Sequence, residues 1–478
     1  MNKYKKLAFN TLVFTIGSFS SKILSFLLAR LYAEKLTTAE YSNADLIVQT
    51  ANLLVPIATL SITEGVIRFG LDKDFDKKQV YTTGVATTGI GLIVMLLFFP
   101  FIYMIQDIQS YIFLLFIYMI TSSFRMLNQY FIRARGLVKL FSADGILTTF
   151  IMLICNILFL VKFNLGVTGY ILSIIVSDFL SSVFICTISN NLKYIKFKGL
   201  EKEVVSAMVR YSAPLIPTYI LWWVVGLSDR YFIRYMIDAD ANGLYSMANK
   251  IPSLISIVST IFFQAWQMSA ITEYQSEGAR TFYSKILNAY QSLMVIACGG
   301  ILLFLNPIMK LIAGSTDFYS GYVYVPFLLI AVLFCCFCQF LSSIYSAIKK
   351  TKNSFYTSIV AAVLNVVLNI VLIPRLGVQG ACLATLFAYG GCFVIRVIDT
   401  RQYIRYDFKV SRLITNLILL LVMSGTILMN YKHVTLWLLA GFILILCYNF
   451  SAIMDTLNQC CDINAILNRF KKKTTKSQ

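Results

Sequence analysis

Long apolar runs recur along the whole chain, and each one is long enough to cross a lipid bilayer as a helix. A spanning helix needs roughly 20 mostly apolar residues. Backbone polar groups in hydrocarbon must be satisfied within the protein, which favours helices. The runs therefore predict an all-α polytopic membrane protein with about fourteen transmembrane helices. They lie near residues 8–31, 42–65, 80–103, 110–133, 141–162, 167–190, 208–232, 243–268, 284–312, 320–347, 355–374, 378–399, 411–430 and 433–454.

Composition agrees with this class and excludes a soluble globule, since 58% of the residues are hydrophobic and only 13% are charged. The net charge of +19 does not indicate nucleic acid as a partner, because the basic residues lie on alternate connections between the runs. One set holds the basic clusters near 68–78, 133–139, 193–202, 349–352 and 401–412. The positive-inside rule places that set, and both termini, in the cytoplasm. A multi-pass membrane protein with both termini in the cytoplasm is expected.

An internal repeat divides the chain. Residues 30–47 (RLYAEKLTTAEYSNADLI) and 234–251 (RYMIDADANGLYSMANKI) align without a gap, and their Arg, Tyr-Ser, Ala and Ile positions match at one constant offset. A second pair, 156–169 and 369–380, shares an Asn, a Leu-Gly-Val and a final Gly. Each copy then holds six spans. Because six is even, the copies are predicted to be parallel repeats with a cleft between them.

The repeat predicts a domain organisation. Residues 1–190 form an N-lobe of six spans, 191–207 a basic cytoplasmic linker, and 208–399 a C-lobe of six spans. Residues 400–455 form an added helix hairpin, and 456–478 form a basic cytoplasmic tail. Pro56, Pro214, Pro217 and Pro252 are expected to kink their helices.

Polar residues at helical spacing indicate which spans line the cleft, because lipid-facing sides cannot carry them. The second span carries Asp45, Gln49 and Asn52 on one face. Its repeat partner, the eighth span, carries Asn249 and Gln267 with Lys250 beside them. The alternative is that small polar residues only help the helices to pack. Long stripes in both members of a repeat pair favour a wet lumen.

Charged residues inside the spans are more informative. Lys22 lies near the middle of the first span and Arg125 lies well inside the fourth. A charge there costs roughly 2.5–3.5 kcal/mol on insertion scales, so such residues normally face a cavity, a partner or a substrate. Asp178 in the sixth span could neutralise one of them in a purely structural ion pair. That alternative stays open.

Counting the charges indicates the substrate. Basic residues predicted at the cleft outnumber acidic ones, so the cleft should select anions; the substrate-binding candidates are Lys22, Arg125, Arg133, Arg230 and Lys250. The candidates for lumen polarity or coupling are Asp45, Gln49, Asn52, Asp178, Asp229, Asn249 and Gln267. Trp222, Trp223 and Tyr245 offer faces for sugar rings. No metal site, catalytic cluster or cofactor is predicted.

One segment carries a resemblance to a known family. Residues 228–251 (SDRYFIRYMIDADANGLYSMANKI) resemble the start of the second half of Wzx-like polysaccharide-export flippases. These belong to the multidrug/oligosaccharidyl-lipid/polysaccharide (MOP) exporter superfamily. The resemblance implies transfer of undecaprenyl-diphosphate-linked oligosaccharide to the outer leaflet by alternating access of two six-helix lobes. Lys22 occupies a place where the related lipid II flippases more typically carry Arg, which favours O-antigen, capsule or teichoic-type units.

Two other functions are considered beside the flippase. A cation-coupled multidrug antiporter of the same superfamily should have an acidic lumen, which the charge count disfavours. An integral membrane enzyme needs a base or nucleophile cluster near an interface, and the short loops show none. The expected partners are the polyprenyl-diphosphate-linked oligosaccharide, membrane lipids, and the polymerase and glycosyltransferases of the same pathway.

Overall fold

The protein is described by a computed structural model that covers residues 28–72, 74–104, 109–273, 278–348, 350–429 and 431–460. Every regular element in these ranges is helical. The predicted all-α membrane fold is confirmed. The chain divides into two compact units, which are described separately below.

The first unit comprises residues 1–247, 311–320 and 366–381. A capping box fixes where its first long helix begins: the Thr37 side chain accepts a hydrogen bond from the Glu40 N–H, and the Glu40 carboxylate accepts from the Thr37 N–H at 2.9 Å. The helices are α1 (Thr38–Ala58), α2 (Ile62–Gly70), α3 (Lys77–Leu96), α4 (Phe99–Tyr103), α5 (Ile112–Ala134), α6 (Val138–Asn156), α7 (Gly166–Ser189), α8 (Lys202–Ser212), α9 (Ile216–Leu227), α10 (Asp229–Met236) and α11 (Ala239–Ala248).

The second unit comprises residues 248–310, 321–365 and 382–478. The remaining helices, some of which cross the unit boundaries, are α12 (Ser253–Glu273), α13 (Ala279–Leu303), α14 (Leu305–Ala313), α15 (Val325–Ala347), α16 (Thr351–Leu376), α17 (Val378–Arg401), α18 (Val410–Leu428) and α19 (Val434–Cys460). Stacked aromatic rings fill the core of this unit. Trp266 lies 4.8 Å from Phe340 between ring centroids, and Phe262 lies 4.3 Å from Tyr290.

Helix length and hydropathy can be compared with the predicted spans. Eleven helical segments in the described ranges are long and apolar enough to cross a membrane, and the bent pair α1–α2 makes a twelfth. The first predicted span, 8–31, lies almost wholly outside the described residues. The eighth, 243–268, is interrupted between α11 and α12 in a turn that contains Pro252, as a proline kink predicts.

The second predicted span is also broken. Helices α1 and α2 meet at an angle of 57°. Leu60 and Ser61 adopt left-handed backbone conformations, with φ of 51° and 50°, which are strained for residues with a side chain. The Ser61 N–H bonds back to the carbonyl of Pro56, at 2.9 Å, instead of continuing the α-helical pattern. The chain therefore changes direction inside the helix that carries the predicted polar stripe.

The added hairpin is present as α18 and α19. Two buried asparagines join its helices by reciprocal hydrogen bonds: Asn416 donates to Asn449 at 3.1 Å, and Asn449 donates to Asn416 at 2.8 Å. An amide pair of this kind satisfies two polar side chains where water is absent.

Candidate functional site

A ladder of polar side chains follows one face of α1. Gln49 donates to the Asp45 carboxylate at 3.0 Å, and Asn52 donates to the Gln49 carbonyl oxygen at 3.2 Å. The capping box at Thr37 sets this register, since residues three and four apart share a helical face. The three α1 residues predicted for the lumen thus form one connected chain, and Asp45 and Gln49 are buried.

A buried ion pair forms at Asp45, the N-terminal end of this ladder. The Arg230 Nε donates to Asp45 Oδ2 at 2.6 Å, and both side chains are more than nine-tenths buried. Ser246 donates to the same carboxylate oxygen at 2.7 Å. Arg230 also reaches the Gly226 carbonyl at 3.3 Å. Removing one partner of such a pair costs about 3–5 kcal/mol, because the other charge is left buried without compensation.

Asp229 points away from its neighbour Arg230, as adjacent positions on a helix require. Its carboxylate is fully buried and accepts hydrogen bonds from the Tyr245 hydroxyl and from the Asn369 amide, both at 2.7 Å. The Tyr245 ring has only 1% exposure, so it does not offer a stacking face to a sugar as the sequence suggested. Asn369 was not identified from the sequence as a site residue.

The two copies of the repeat cross closely near these pairs. Asn242 donates to the Ser42 hydroxyl at 2.8 Å, and Thr38 hydrogen-bonds to Asp240. A Cβ atom on Gly243 would lie 2.0 Å from the Thr38 carbonyl oxygen, so only glycine permits this approach of α1 and α11. Helix interfaces built on small residues bring backbones together in this way.

An aromatic pair covers the side of α1. The Trp223 indole donates to the Gln49 carbonyl at 2.9 Å, and its ring lies 5.6 Å from that of Tyr231. Tyr231 in turn hydrogen-bonds to Thr50. Trp223, which was predicted to face sugar rings, is therefore partly occupied in holding α9 against α1.

A second polar centre lies among α5, α6 and α7. Arg125 contacts two carboxylates, Asp178 at 3.1 Å and Asp144 at 3.7 Å. Ser181 bridges the centre, since it accepts from Arg125 at 3.0 Å and donates to Asp144 at 2.5 Å. Gln129 donates to Asp144 at 2.6 Å. The Arg125 side chain keeps 22% exposure, so it is not fully enclosed.

Asp144 changes the charge count made from the sequence. It is fully buried and lies inside the fifth predicted span, yet it was not included among the acidic residues of the cleft. The signal was present, because an intramembrane carboxylate is rare enough to mark a site. Two carboxylates therefore share one arginine here.

Arg396 was also not identified from the sequence as a site residue. It is fully buried within α17 and donates to the Cys338 carbonyl at 2.8 Å, to Thr357 at 2.9 Å and to Ser358 at 3.1 Å. Carbonyl and hydroxyl groups from two helices, α15 and α16, thus surround its guanidinium. Its position inside the predicted span 378–399, close to the end of that span, was the available signal.

The remaining predicted residues lie apart from these centres or outside the described part. The Arg133 guanidinium packs over the rings of Tyr130, at 5.5 Å, and Phe141, at 5.2 Å. Asn249 and Lys250 lie in the turn before α12, where the Lys250 carbonyl accepts from Ser253 at 2.6 Å. Lys22 lies outside the described residues, and so does the side chain of Gln267.

Two families match the chain. Residues 7–267 match the family described as polysaccharide biosynthesis protein. Residues 319–448 match the family described as lipid II flippase MurJ. The predicted transporter, as opposed to an enzyme, agrees with these families.

Two curated relatives are archaeal. An uncharacterised membrane protein of Methanocaldococcus jannaschii is 26% identical over 256 residues, which are 50% of this chain and 60% of the relative. A probable low-salt glycan biosynthesis flippase of Haloferax volcanii is 23% identical over 257 residues, 51% of this chain and 51% of the relative. The chain thus spans about half of the length of these relatives.

Solved structures share the fold at low identity. The lipid II flippase MurJ in an inward closed conformation matches with a TM-score of 0.72 and 14% identity, over 94% of this chain and 99% of that one. An inward-facing multidrug resistance transporter of the MATE family matches with a TM-score of 0.65 and 14% identity, over 81% and 98%. Because the first family match covers more than half of the chain, the chain belongs to the polysaccharide biosynthesis protein family, and the predicted resemblance to flippases of the MOP exporter superfamily is confirmed.

Proposed function

We propose that the protein is a flippase for oligosaccharide units linked to a polyprenyl diphosphate, which in a bacterium is undecaprenyl diphosphate. It moves them from the inner to the outer leaflet by alternating access. The observation that carries the proposal is the buried ion pair between Asp45 and Arg230, which ties a helix of the first repeat to one of the second. Membership of the polysaccharide biosynthesis family supports the class of substrate.

The ion pair suits a gate, because it holds the two helices together in the closed form and each charge can find another partner in the open form. Its two charges are buried, so separating them requires new partners for both. A diphosphate is a natural competitor for Arg230, since guanidinium groups bind phosphate oxygens through paired hydrogen bonds. Asp45 keeps its bond to Gln49, which lies on the same helix and donates at 3.0 Å, after Arg230 leaves. The polar ladder thus stabilises the open form of the gate.

The close crossing at Gly243 supports the same proposal. Backbone contact between α1 and α11 leaves no room for a substrate between these helices at that level. Passage there requires the helices to separate, and the hydrogen bonds between Asn242 and Ser42 and between Thr38 and Asp240 break together with the ion pair. One local set of polar contacts would therefore open or close as a unit.

The cationic residues proposed to contact the diphosphate headgroup are Lys22, Arg125, Arg133 and Lys250. Arg125 is held by two carboxylates but its side chain is partly exposed, and a diphosphate would add further acceptors to it. Arg230 differs from these residues, because its pairing with Asp45 favours a gating role. The ladder residues Gln49 and Asn52, and Asn249 with Gln267 on the repeat partner, are proposed to contact sugar hydroxyls.

The gate is tested by polymer export in a host that lacks its own flippase. Asp45→Asn and Arg230→Gln are each expected to lower export at least tenfold at normal protein levels. The exchanged pair, Asp45→Arg with Arg230→Asp, should recover more export than either single variant. Arg280→Gln is the matched control, because Arg280 and Asp407 form an ion pair of 2.8 Å with both side chains more than 60% exposed.

Export that stays normal in both single variants would contradict the gating role. The headgroup proposal is tested separately with Lys22→Ala and Arg125→Ala, which should abolish export without changing membrane insertion. Normal export in both would remove these residues from the substrate site.

A multidrug antiporter is the second candidate. It is supported by the MATE-like fold and by the shared centre at Arg125, where two carboxylates face one guanidinium. A site with more carboxylates than cationic groups suits a cationic substrate. Overexpression should then raise resistance to cationic dyes, and unchanged resistance would dismiss this function.

Orientation and partners belong to the same proposal. Both termini are expected in the cytoplasm of a bacterial cell with the protein in its inner membrane. Reporter fusions that are active on only one side of the membrane test this orientation at each end. Crosslinking in cells tests the proposed association with the polymerase and glycosyltransferases of the pathway.

A further inference from the structure

A small cavity lies beside the break between α1 and α2. Its volume is about 80 Å³, which is enough for a few water molecules at roughly 10–15 Å³ each. The polar residues that line it are Thr59, Ser61, Thr63, Glu64, Ser123, Tyr130 and Tyr219. None of the lining residues is basic, and Glu64 is the one acid among them.

Glu64 has neutral partners only, within the part of the chain that the structure describes. The Tyr219 hydroxyl donates to its carboxylate at 2.8 Å, and the Tyr130 hydroxyl lies beside the same group. Arg68 lies one helical turn away, but it forms no ion pair with Glu64. A half-buried carboxylate that has no cationic partner is a favourable binding site for a cation.

Ser123 points to a ligand independently of Glu64. It lies on α5, lines the cavity and has only 1% exposure. Its hydroxyl has no hydrogen-bond partner among the described residues, although serines in helices commonly bond to a preceding carbonyl. Buried polar atoms are almost always satisfied, so an occupant of the cavity is expected to contact this oxygen.

The backbone supports a binding role for the same place. Two consecutive residues with side chains, Leu60 and Ser61, are strained at the break. Strain of this kind persists only where the surroundings enforce it, and it concentrates at ligand clamps and switch regions. At this break the helix is interrupted where it faces a cavity, which is the setting in which interrupted membrane helices hold ions.

We infer that this cavity binds a small monovalent cation, for which Na⁺ is the probe. The donors are carboxylate and hydroxyl oxygens, which are hard ligands suited to alkali ions. One carboxylate balances one positive charge. That the bound ion drives transport rests on the flippase function proposed above. The binding of the ion does not depend on that function.

Occupancy of the cavity by the ion would affect the angle between α1 and α2. Glu64 lies in α2, Ser123 lies in α5 and Tyr219 lies in α9, so an ion bound to Glu64 ties three helices at the break. Gly65 next to it packs against α8, where a Cβ atom would lie 2.7 Å from the Ser212 hydroxyl. The tight contact leaves α2 little freedom except by rotation at the break.

The test measures binding to the purified full-length protein in detergent without substrate. Thermal unfolding is followed in NaCl and in choline chloride at equal ionic strength, and ²²Na⁺ binding is counted directly. The wild-type protein should bind Na⁺ saturably and unfold at a higher temperature in NaCl. Glu64→Gln should abolish both effects, and Ser123→Ala should weaken binding about tenfold, because the ion loses one oxygen ligand.

Glu203→Gln is the matched control, because it removes the same charge from an exposed position in α8. It should bind Na⁺ like the wild type. Equal stability in the two salts, stabilisation that follows pH but not Na⁺, or unchanged binding in Glu64→Gln would overturn the inference. Export assays separate the two proposals. A wild-type protein that binds Na⁺ but exports no polymer counts against the flippase, and normal export by Glu64→Gln, which should not bind Na⁺, counts against a role of the ion in driving transport.

Discussion

Gly91 provides a sharp test of the break, because it lies in α3 directly against the α1 backbone. A Cβ atom on Gly91 would lie 1.7 Å from the carbonyl oxygen of Ala58 and 2.8 Å from its carbonyl carbon. Carbon–oxygen contacts normally begin at about 3.3 Å, so Gly91→Ala requires a shift of about 1.5 Å between two backbones. Close-packed interiors do not absorb such shifts freely.

The expected magnitude follows from a neighbouring glycine. Overpacking costs about 1–3 kcal/mol, and a clash with backbone belongs at the upper end. Gly89 lies two residues earlier in the same helix, and no atom lies within 4 Å of a Cβ placed there. Gly89→Ala should therefore stabilise the helix by about 0.4–1 kcal/mol. The two alanine variants are expected to differ by about 1.5–4 kcal/mol with opposite signs.

The assay is unfolding of the purified protein in mixed micelles as the mole fraction of SDS rises, followed by tryptophan fluorescence. Gly91→Ala should unfold at a lower fraction than the wild type, and Gly89→Ala at an equal or higher one. If Gly91→Ala proves as stable as Gly89→Ala, the break does not depend on contact between the Ala58 carbonyl and α3. The reasoning from backbone approach would then be refuted.

Three further predictions concern other close contacts. Gly243→Ala should push α11 away from the Thr38 carbonyl and reduce polymer export at least tenfold, as measured in cells. Arg396→Met should lower stability by about 3 kcal/mol or more in SDS unfolding, because it leaves several buried acceptors without a donor, and Arg396→Lys should not restore it. Asn416→Leu should destabilise the protein by about 1–3 kcal/mol, since the partner amide of Asn449 is left unsatisfied, whereas changing both residues to Leu should be milder.

Each of these predictions has a result that contradicts it. Gly425→Ala is the control for Gly243→Ala, because no atom lies within 4 Å of its Cβ position, and equal export in the two variants would refute the crossing argument. If Arg396→Lys is as stable as the wild type, the positive charge is what stabilises the protein, and the several N–H donors of the guanidinium are not required. A double leucine variant less stable than the single one would show that the amide pair is not the source of the effect.

The helices could be predicted from the sequence with small errors at their ends. The thirteenth span was expected at 411–430 and α18 covers Val410–Leu428. The third was expected at 80–103, but the structure ends α3 at Leu96 and adds the short α4. Such agreement arises because a bilayer imposes a local requirement, a continuous apolar stretch, that a window of about 20 residues reveals.

The proline kinks were predicted only in part. Pro252 lies where the chain turns between α11 and α12, as expected. Pro56, however, stays inside α1, and the bend follows at Leu60 and Ser61. Neither residue type signals a left-handed conformation. Gly91, about thirty residues away in the sequence, packs against the Ala58 carbonyl beside this break, and a local sequence pattern does not reveal such a tertiary contact.

The sequence by itself determined the membrane class, the helical content, the internal repeat and the family, because each depends on patterns within one stretch or on comparison of two stretches. Only the tertiary structure decided which buried charges meet. It joins Arg230 to Asp45, places Asp144 beside Arg125, and surrounds Arg396 with hydroxyl and carbonyl groups. The physical reason is that pairing depends on distances between helices far apart in the chain. Hydropathy and helical spacing specify which face a residue occupies, but they do not specify which side chain lies opposite.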